Sequence, residues 1–458
     1  MELIGREKEL DILERFWAQD DYSLGVVYGR RRIGKSFLLK NFSEGKRSIL
    51  LQATTSQASN LTEFASQIGK LYPISTHIAY TSYEAVFDDL ANLAKKEKLL
   101  VVLDELSFLE ESNKDILSIL QKYSDTVFQN TQLKMILCSS MESFMIQHVI
   151  GGKTPFFGRT TLRLKLTALR PIHAKKFFPS WSLNDISQAY VITSGIPYYM
   201  RRISIYKTFH EALKEEFFSM GGALLTEPFL LLYSEVRNVD SFMSLMSAIA
   251  QGVTKTSKLA DKTGISVALC SSMLKKLTNL GFVKERKNVV IDSRILGWTL
   301  EDNFFAFWFR FVYPAQNSIE LDNAQPLLKK TIQELDEFTG KRIEQTIREY
   351  IVSNSKKSIT EYGSAEFSNP VKKQNEEIDF IAKTSDKDLL FGEFKWKTKE
   401  VSSLELEELK RKAYLVNPNT SKKEFYLCSK NGFSETLKEE AKKNKTLHLL
   451  EGKTIFGF

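Results

Sequence analysis

Gly29-Arg30-Arg31-Arg32-Ile33-Gly34-Lys35-Ser36 fits the phosphate-loop spacing G-x-x-x-x-G-K-[ST] at every fixed position. Before it, the valine-rich run 24–28 predicts a buried strand; after it, apolar spacing over 36–42 predicts a helix. That context is what the chemistry needs. Glycines let the backbone curl so that successive amides point at a polyphosphate, and the first turn of the helix adds unpaired N–H groups and its positive dipole end. On this reading Gly29, Arg32, Ile33, Gly34, Lys35, Ser36 and Phe37 are nucleotide contacts, with Lys35 on the β and γ phosphates and the Ser36 hydroxyl on magnesium. The plain alternative is a basic surface turn that matches by accident.

A second signature lies downstream. Leu99-Leu100-Val101-Val102-Leu103-Asp104-Glu105 reads as a buried parallel strand opening at its carboxyl end onto a ligand. There Asp104 would hold magnesium and Glu105 would polarise the attacking water. A further apolar strand, 134–138, ends in Ser139-Ser140; these hydroxyls either touch the γ-phosphate or attacking water, or cap the helix that follows. Arg159, after the flexible stretch 151–155, is either a charge-neutralising finger or one half of a surface ion pair.

Together these residues resemble the archaeal-type ATPase family, a branch of the AAA+ and STAND P-loop ATPases. The resemblance spans about residues 1–235 and rests on the order of Ile4-Gly5-Arg6-Glu7, the glycine loop, Leu103-Asp104-Glu105, the serine-ended strand, Gly158-Arg159 and Ser194-Gly195-Ile196-Pro197-Tyr198-Tyr199. It implies ATP and Mg2+ as cofactors, Gly5, Arg6, Gly195 and Pro197 flanking the adenine, and Arg159 as the finger or sensor arginine. Three consecutive arginines, 30–32, exceed what the loop requires and suggest an outward reach to nucleic acid.

The chain is 458 residues long, which implies about three domains, and 43% apolar with 26% charged, which implies a folded chain. A formal net charge of +8 favours a polyanionic partner such as nucleic acid, membrane headgroups or simple solubility being also compatible; DNA is the expected nucleic acid ahead of RNA. The cysteines, Cys138, Cys270 and Cys428, form no Cys-x-x-Cys pair, which argues against a disulfide framework or zinc knuckle. Neither a secretory signal nor a membrane-length apolar run is found, so the expectation is a cytoplasmic protein with no membrane partner, oligomerisation being possible.

Helical patterns at 241–249, 257–263 and 266–280, broken at Gly264, precede an alternating stretch, 282–290, that reads as a two-stranded wing turning near Asn288. This is the winged-helix order. In a DNA-binding reading, Ser271, Ser272, Lys275 and Lys276 face a groove while Lys284, Arg286 and Lys287 touch phosphates; in the other, the domain is a structural extension of the lid. The aromatic run 304–311 reads as a buried helix joining domains.

From residue 331 the chain turns rich in lysine and glutamate. A helix over 332–352 carries Glu344; strands are expected at 358–366, 377–383 and 389–397, then a helix at 403–414 and a strand at 424–428. Glu393 and Lys395 share one face of their strand, and Asp379 would lie opposite across a hairpin. Two carboxylates and an amine form the minimum apparatus for metal-assisted phosphodiester hydrolysis. Asp379 followed by Glu393-x-Lys395 in this element order resembles the PD-(D/E)xK restriction-endonuclease-like superfamily, with Ile378 in place of the leading proline. The resemblance implies Asp379 and Glu393 as metal ligands, Lys395 as the catalytic lysine and Glu344 as an auxiliary acid on the metal. An inactive descendant that only binds nucleic acid, or chance charges on an exposed strand pair, would leave the same residues.

The expected fold is α/β: a P-loop ATPase core with a parallel sheet (1–170), a helical lid (171–235), a winged-helix domain (236–300), an aromatic helical connector (301–330) and a C-terminal α/β restriction-endonuclease-like domain (331–458). The expected function is an ATPase controlling a DNA-binding, DNA-cleaving domain. The alternative is an ATP-dependent switch whose C-terminal domain only binds nucleic acid or protein.

Overall fold

The computed structural model describes residues 2–72, 79–289, 291, 294–369, 373–418 and 422–458. The chain forms two units. One comprises Met1–Leu169 with Ile196–Tyr198, the other Arg170–Gly195 with Tyr199–Phe458.

The first unit is built on a parallel sheet of β1 (Ser23–Tyr28), β2 (Ser48–Gln52), β3 (Leu99–Asp104), β4 (Leu133–Ser139) and β5 (Leu162–Lys165), in the order β2-β3-β4-β1-β5. Every residue of β3 and β4 is buried, Lys134 included, which is why both read as near-continuous apolar runs: helices cover both faces of the sheet. Helices Gln57–Leu71 and Tyr83–Lys96 bury Phe64, Ile68, Phe87 and Leu90 in that core. Burying each such side chain contributes about 1.5–3 kcal/mol. After β1 the chain runs to the far edge of the sheet before returning, so β1 lies beside β4 and not beside β2. The carboxyl ends of β1, β3 and β4 therefore open at a topological switch point, where such sheets bind ligands.

In the second unit, helices Val239–Ala250, Thr256–Thr263 and Val267–Asn279 precede an antiparallel ribbon of β6 (Val283–Lys287) and β7 (Ile295–Leu300). Gly264, at φ 70°, ends the middle helix in the left-handed conformation that favours glycine. The ribbon corrects the expected hairpin within 282–290. That stretch supplies only one strand; its partner begins at Ile295, because Val283 pairs with Leu300, both buried. Val290, part of the expected wing, lies outside the described residues. The cations expected on phosphates are also engaged: Lys284 pairs with Glu301 and Gln345, Arg286 with Glu366 and Lys287 with Glu285. Asn288 bonds both the carbonyl and the amide of Glu366, each at 2.8 Å, so this loop covers one edge of the C-terminal sheet.

The aromatic run is core. Phe304, Phe305, Phe307, Trp308 and Phe309 are all fully buried, Phe304 stacks on Tyr199 at 4.3 Å, and the Trp308 indole donates to the Leu225 carbonyl at 2.7 Å. The following helix spans Gln325–Asn354, so the boundary expected after residue 330 falls within it. The C-terminal sheet has the order β12-β11-β10-β9-β8, from β8 (Ile359–Asn369), β9 (Gln374–Thr384), β10 (Leu389–Lys395), β11 (Lys423–Ser429) and β12 (Leu447–Glu451). Strands β8 to β10 pair antiparallel, and β10 to β12 parallel. Helix Ser403–Val416, opened by a Ser402/Glu405 capping box, buries Leu406, Leu409 and Ala413 against this sheet.

Candidate functional site

The glycine loop connects β1 to the helix Lys35–Ser43. Its turn uses backbone that side chains resist: Arg32 at φ 69° and Gly34 at φ 92°. Gly29, at φ 149°, also approaches β5 so closely that a Cβ there would sit 2.4 Å from the Leu166 carbonyl oxygen. Lys35 is buried and donates to the carbonyls of Gly29 and Arg30 at 2.8 and 3.0 Å. Burial pulls its pKa below the usual lysine range, with Asp104 and Glu105 among the groups acting against that shift. A desolvated ammonium of this kind gains from an arriving polyanion.

The Ser36 hydroxyl donates to Asp104 Oδ2 at 2.5 Å, and the second Asp104 oxygen accepts the Glu105 amide at 2.9 Å. Thus the first turn of helix Lys35–Ser43 and the carboxyl end of β3 bring an exposed hydroxyl and a carboxylate together. Glu105 itself sits at φ 55°, and Ser140 Oγ donates to its Oε1 at 2.7 Å. Ser139 is fully buried and its hydroxyl accepts from the Met141 amide at 3.2 Å, but the helix that follows, Glu142–Phe144, has no side-chain cap; Ser140 orients Glu105. Sequence reasoning missed Cys138, whose thiol is pushed well above its ordinary pKa by burial and by Asp104 beside it. An apolar-strand cysteine carries no spacing signal that would have revealed this neighbour.

Arg6 is also buried, and its guanidinium is spent on protein partners: Glu9 at 2.8 Å, the Ile33 carbonyl at 3.1 Å and the Thr167 carbonyl at 2.7 Å. It braces the loop from behind. Gly5 precedes it at φ 67°. Ser194 and Gly195, at φ 53° and 64°, turn the chain into Ile196–Tyr198, which folds with the first unit; Pro197 lies within this segment, and Arg32 covers the Tyr198 ring at 4.4 Å. Arg32 stays exposed while making this contact. Arg159 forms a two-pronged salt bridge with Asp125, at 2.6 and 3.0 Å, which is the ion-pair option.

In the C-terminal sheet, Asp379 and Glu393 lie on adjacent strands just past the last paired rung, Gly392 with Phe380. Asp379 Oδ2 accepts the Phe394 amide at 2.8 Å. Burial, then Glu393, pushes the Asp379 carboxyl up to about 6; burial, then Asp379, pushes Glu344 up to about 8. Lys395 moves upward too: burial opposes its charge, but Glu393 and Asp379 outweigh it. Glu393 is clamped between two lysines, Oε1 to Lys395 at 2.7 Å and Oε2 to Lys412 at 2.9 Å. Glu344 pairs with Arg348 at 2.7 Å, and Arg348 also donates to the Asp379 carbonyl at 2.5 Å. The predicted residues are thus neighbours, yet among the described residues no three acidic, histidine or cysteine side chains are gathered as a metal-ligand set. Lys412 and Arg348 were missed because lysines and arginines on charged helices ordinarily face solvent.

Residues 3–203 match the family model described as an ATPase domain predominantly from Archaea, and residues 308–410 match one described as archaeal and bacterial proteins of unknown function. An uncharacterised protein of Methanocaldococcus jannaschii is 27% identical over 433 residues, covering 93% of this chain and 95% of that protein. An uncharacterised ATP-binding protein of the same organism is 46% identical over 44 residues, 10% of this chain and 75% of that one. Among solved structures, the Walker-type ATPase of Pyrococcus abyssi superposes with a TM-score of 0.53 at 20% identity, covering 67% of this chain and 96% of that one. A parallel-sheet ATPase domain with a phosphate loop, followed by a separate mixed-sheet domain, defines the class. Over residues 3–203 the chain carries the ATPase domain found predominantly in Archaea.

Proposed function

We propose that ATP bound and hydrolysed at the Gly29–Ser36 loop governs a nucleic-acid-handling second unit whose C-terminal sheet cuts DNA with magnesium. The observation that carries the nucleotide half is the Ser36–Asp104 contact of 2.5 Å beside a buried, depressed-pKa Lys35. Hydroxyl and carboxylate are the hard oxygen donors that magnesium takes together with phosphate oxygens, so Ser36 and Asp104 would hold the ion. Magnesium would neutralise charge on the β and γ phosphates. Lys35 exchanges its carbonyl partners for phosphate oxygens, the loop amides of Ile33 and Gly34 and the start of the helix at Ser36 and Phe37 receive the rest, and Glu105, aimed by Ser140, orients the attacking water. Gly5, Arg6, Gly195 and Pro197 flank the adenine, and Arg159 serves as finger once it exchanges Asp125 for phosphate.

In the C-terminal site, Asp379 and Glu393 would hold the metal with Glu344 in support, once Glu393 gives up a lysine partner, and Lys395 would stabilise the attacking hydroxide. DNA is engaged through helix Val267–Asn279, which leaves Ser271, Ser272, Lys275 and Lys276 exposed in a winged-helix arrangement. One observation favours the second reading, a switch whose C-terminal domain only binds: both Glu393 oxygens are already held by lysines. Supercoiled plasmid incubated with magnesium or manganese, with and without ATP, separates the two. The first reading predicts nicking by wild type and a loss of ~100-fold or more in Lys395→Ala; no cutting by wild type under any condition refutes the nuclease and leaves the switch. No helix among the described residues is long and apolar enough to cross a membrane.

A further inference from the structure

The strand that carries Glu393 and Lys395 does not end free. Trp396, the next residue, is buried and its indole N–H donates to Ser187 Oγ at 3.4 Å. On the neighbouring strand, Lys430 follows Ser429 at the end of β11; its amide donates to the Lys395 carbonyl at 3.3 Å and its ammonium to Asn184. Ser187 and Asn184 sit on one helix, Leu183–Ile192, which is also tied to the long helix Gln325–Asn354 by Gln188 and Asp336 at 2.8 Å. Packing closes the joint. At Gly452 an added Cβ would lie 2.9 Å from the Trp396 ring, 3.3 Å from the Lys430 carbonyl and 3.4 Å from Leu183.

The other end of that helix runs, through the left-handed pair Ser194 and Gly195, straight into Ile196–Tyr198, the segment that folds with the phosphate-loop unit and stacks Tyr198 under Arg32. Ser194 is fixed in turn by Asp302 at 3.0 Å and by the Phe304 amide at 2.9 Å. One short helix is therefore gripped at the carboxylate–lysine strand and continuous in chain with a residue touching the loop.

We infer that helix Leu183–Ile192 is the lever by which nucleotide at the Gly29–Ser36 loop sets the order of the Glu393–Lys395 site, with Trp396 and Lys430 as positioning residues. The inference rests on the reading that nucleotide governs the C-terminal site, but not on that site's cutting anything. Nucleotide that fixes Arg32 and Ile196–Tyr198 lowers the freedom of the helix end, and the rigid grip at Trp396 passes that order to β10.

Two amides report on it. The Phe394 amide is bonded to Asp379 and the Lys430 amide to Lys395, so each exchanges only when the site opens. Hydrogen exchange is followed on the full chain with and without the non-hydrolysable analogue adenylyl imidodiphosphate and magnesium. In wild type, peptides covering Phe394 and Lys430 slow by about tenfold along with the loop peptides. In Trp396→Phe with Lys430→Met, and in the milder Ser187→Ala, the loop still slows but the response at Phe394 and Lys430 shrinks. Loop slowing in wild type with no change at Phe394 and Lys430, or a full response in all the variants, overturns the lever. If the wild-type loop itself does not respond, the nucleotide reading falls and takes the lever with it.

Discussion

Replacing Arg6 with alanine should loosen the phosphate loop without touching a residue of its motif. The guanidinium is buried and makes contacts of 2.8, 3.1 and 2.7 Å to Glu9, the Ile33 carbonyl and the Thr167 carbonyl. Hydrogen bonds from a charged donor contribute roughly 1.5–3 kcal/mol each, and a buried acceptor left without its donor costs about 1–3 kcal/mol. Partial relaxation and water entry reduce the sum, so a net loss of about 2–4 kcal/mol is the working figure. Ile33 lies inside the loop, so part of this appears as weaker nucleotide binding; each 1.4 kcal/mol directed there raises Kd about tenfold. Thermal unfolding and calorimetric titration with ATP, done on Arg6→Ala and Arg6→Lys, measure the two shares. Lysine restores charge but not the planar fork, so it should recover less than half of the loss. Wild-type Tm and wild-type Kd in Arg6→Ala would refute the bracing role.

Glu344 and Asp379 predict how stability follows pH. Their folded pKa values, about 8 and about 6, lie above the ordinary 4.5 and 3.8, so the folded state holds protons that the unfolded chain releases. Stability from these groups is then full below the ordinary values and is lost as pH rises, through about 6 for Asp379 and about 8 for Glu344. Glu344→Gln should flatten the fall in Tm between pH 6 and 8.5, and an unchanged slope would show that Glu344 does not titrate there. Separately, Asn288→Ala leaves the Glu366 amide and carbonyl without their 2.8 Å partners and should cost about 1–3 kcal/mol in chemical denaturation, with a loss under 0.5 kcal/mol counting against the edge-covering role.

What the sequence made legible was whatever repeats a local rule. The glycine loop, the all-buried runs of β3 and β4 and the Asp104-Glu105 ending are set by near neighbours in the chain, and the structure has them where spacing predicts. The partner of β6 was hidden because its register depends on Leu300, well beyond a two-residue turn. Helix Glu435–Lys443 was hidden for another reason: it buries only Leu437, so no apolar period announces it. At the candidate sites, residue types were readable but pairing was not. Nothing in the spacing of Lys412 and Glu393, or of Arg6 and Thr167, foretells that each pair touches, since both contacts are made by the tertiary fold. The same holds for Arg159, whose two bonds to Asp125 no spacing foretells.

The most direct test of the account is phosphate release from ATP, with magnesium, by wild type, Lys35→Ala and Glu105→Gln, alongside binding of ATP to each. The account predicts steady hydrolysis by wild type and a fall of ~100-fold or more in both variants, with binding lost in Lys35→Ala but kept in Glu105→Gln. Hydrolysis by Lys35→Ala at the wild-type rate would contradict it.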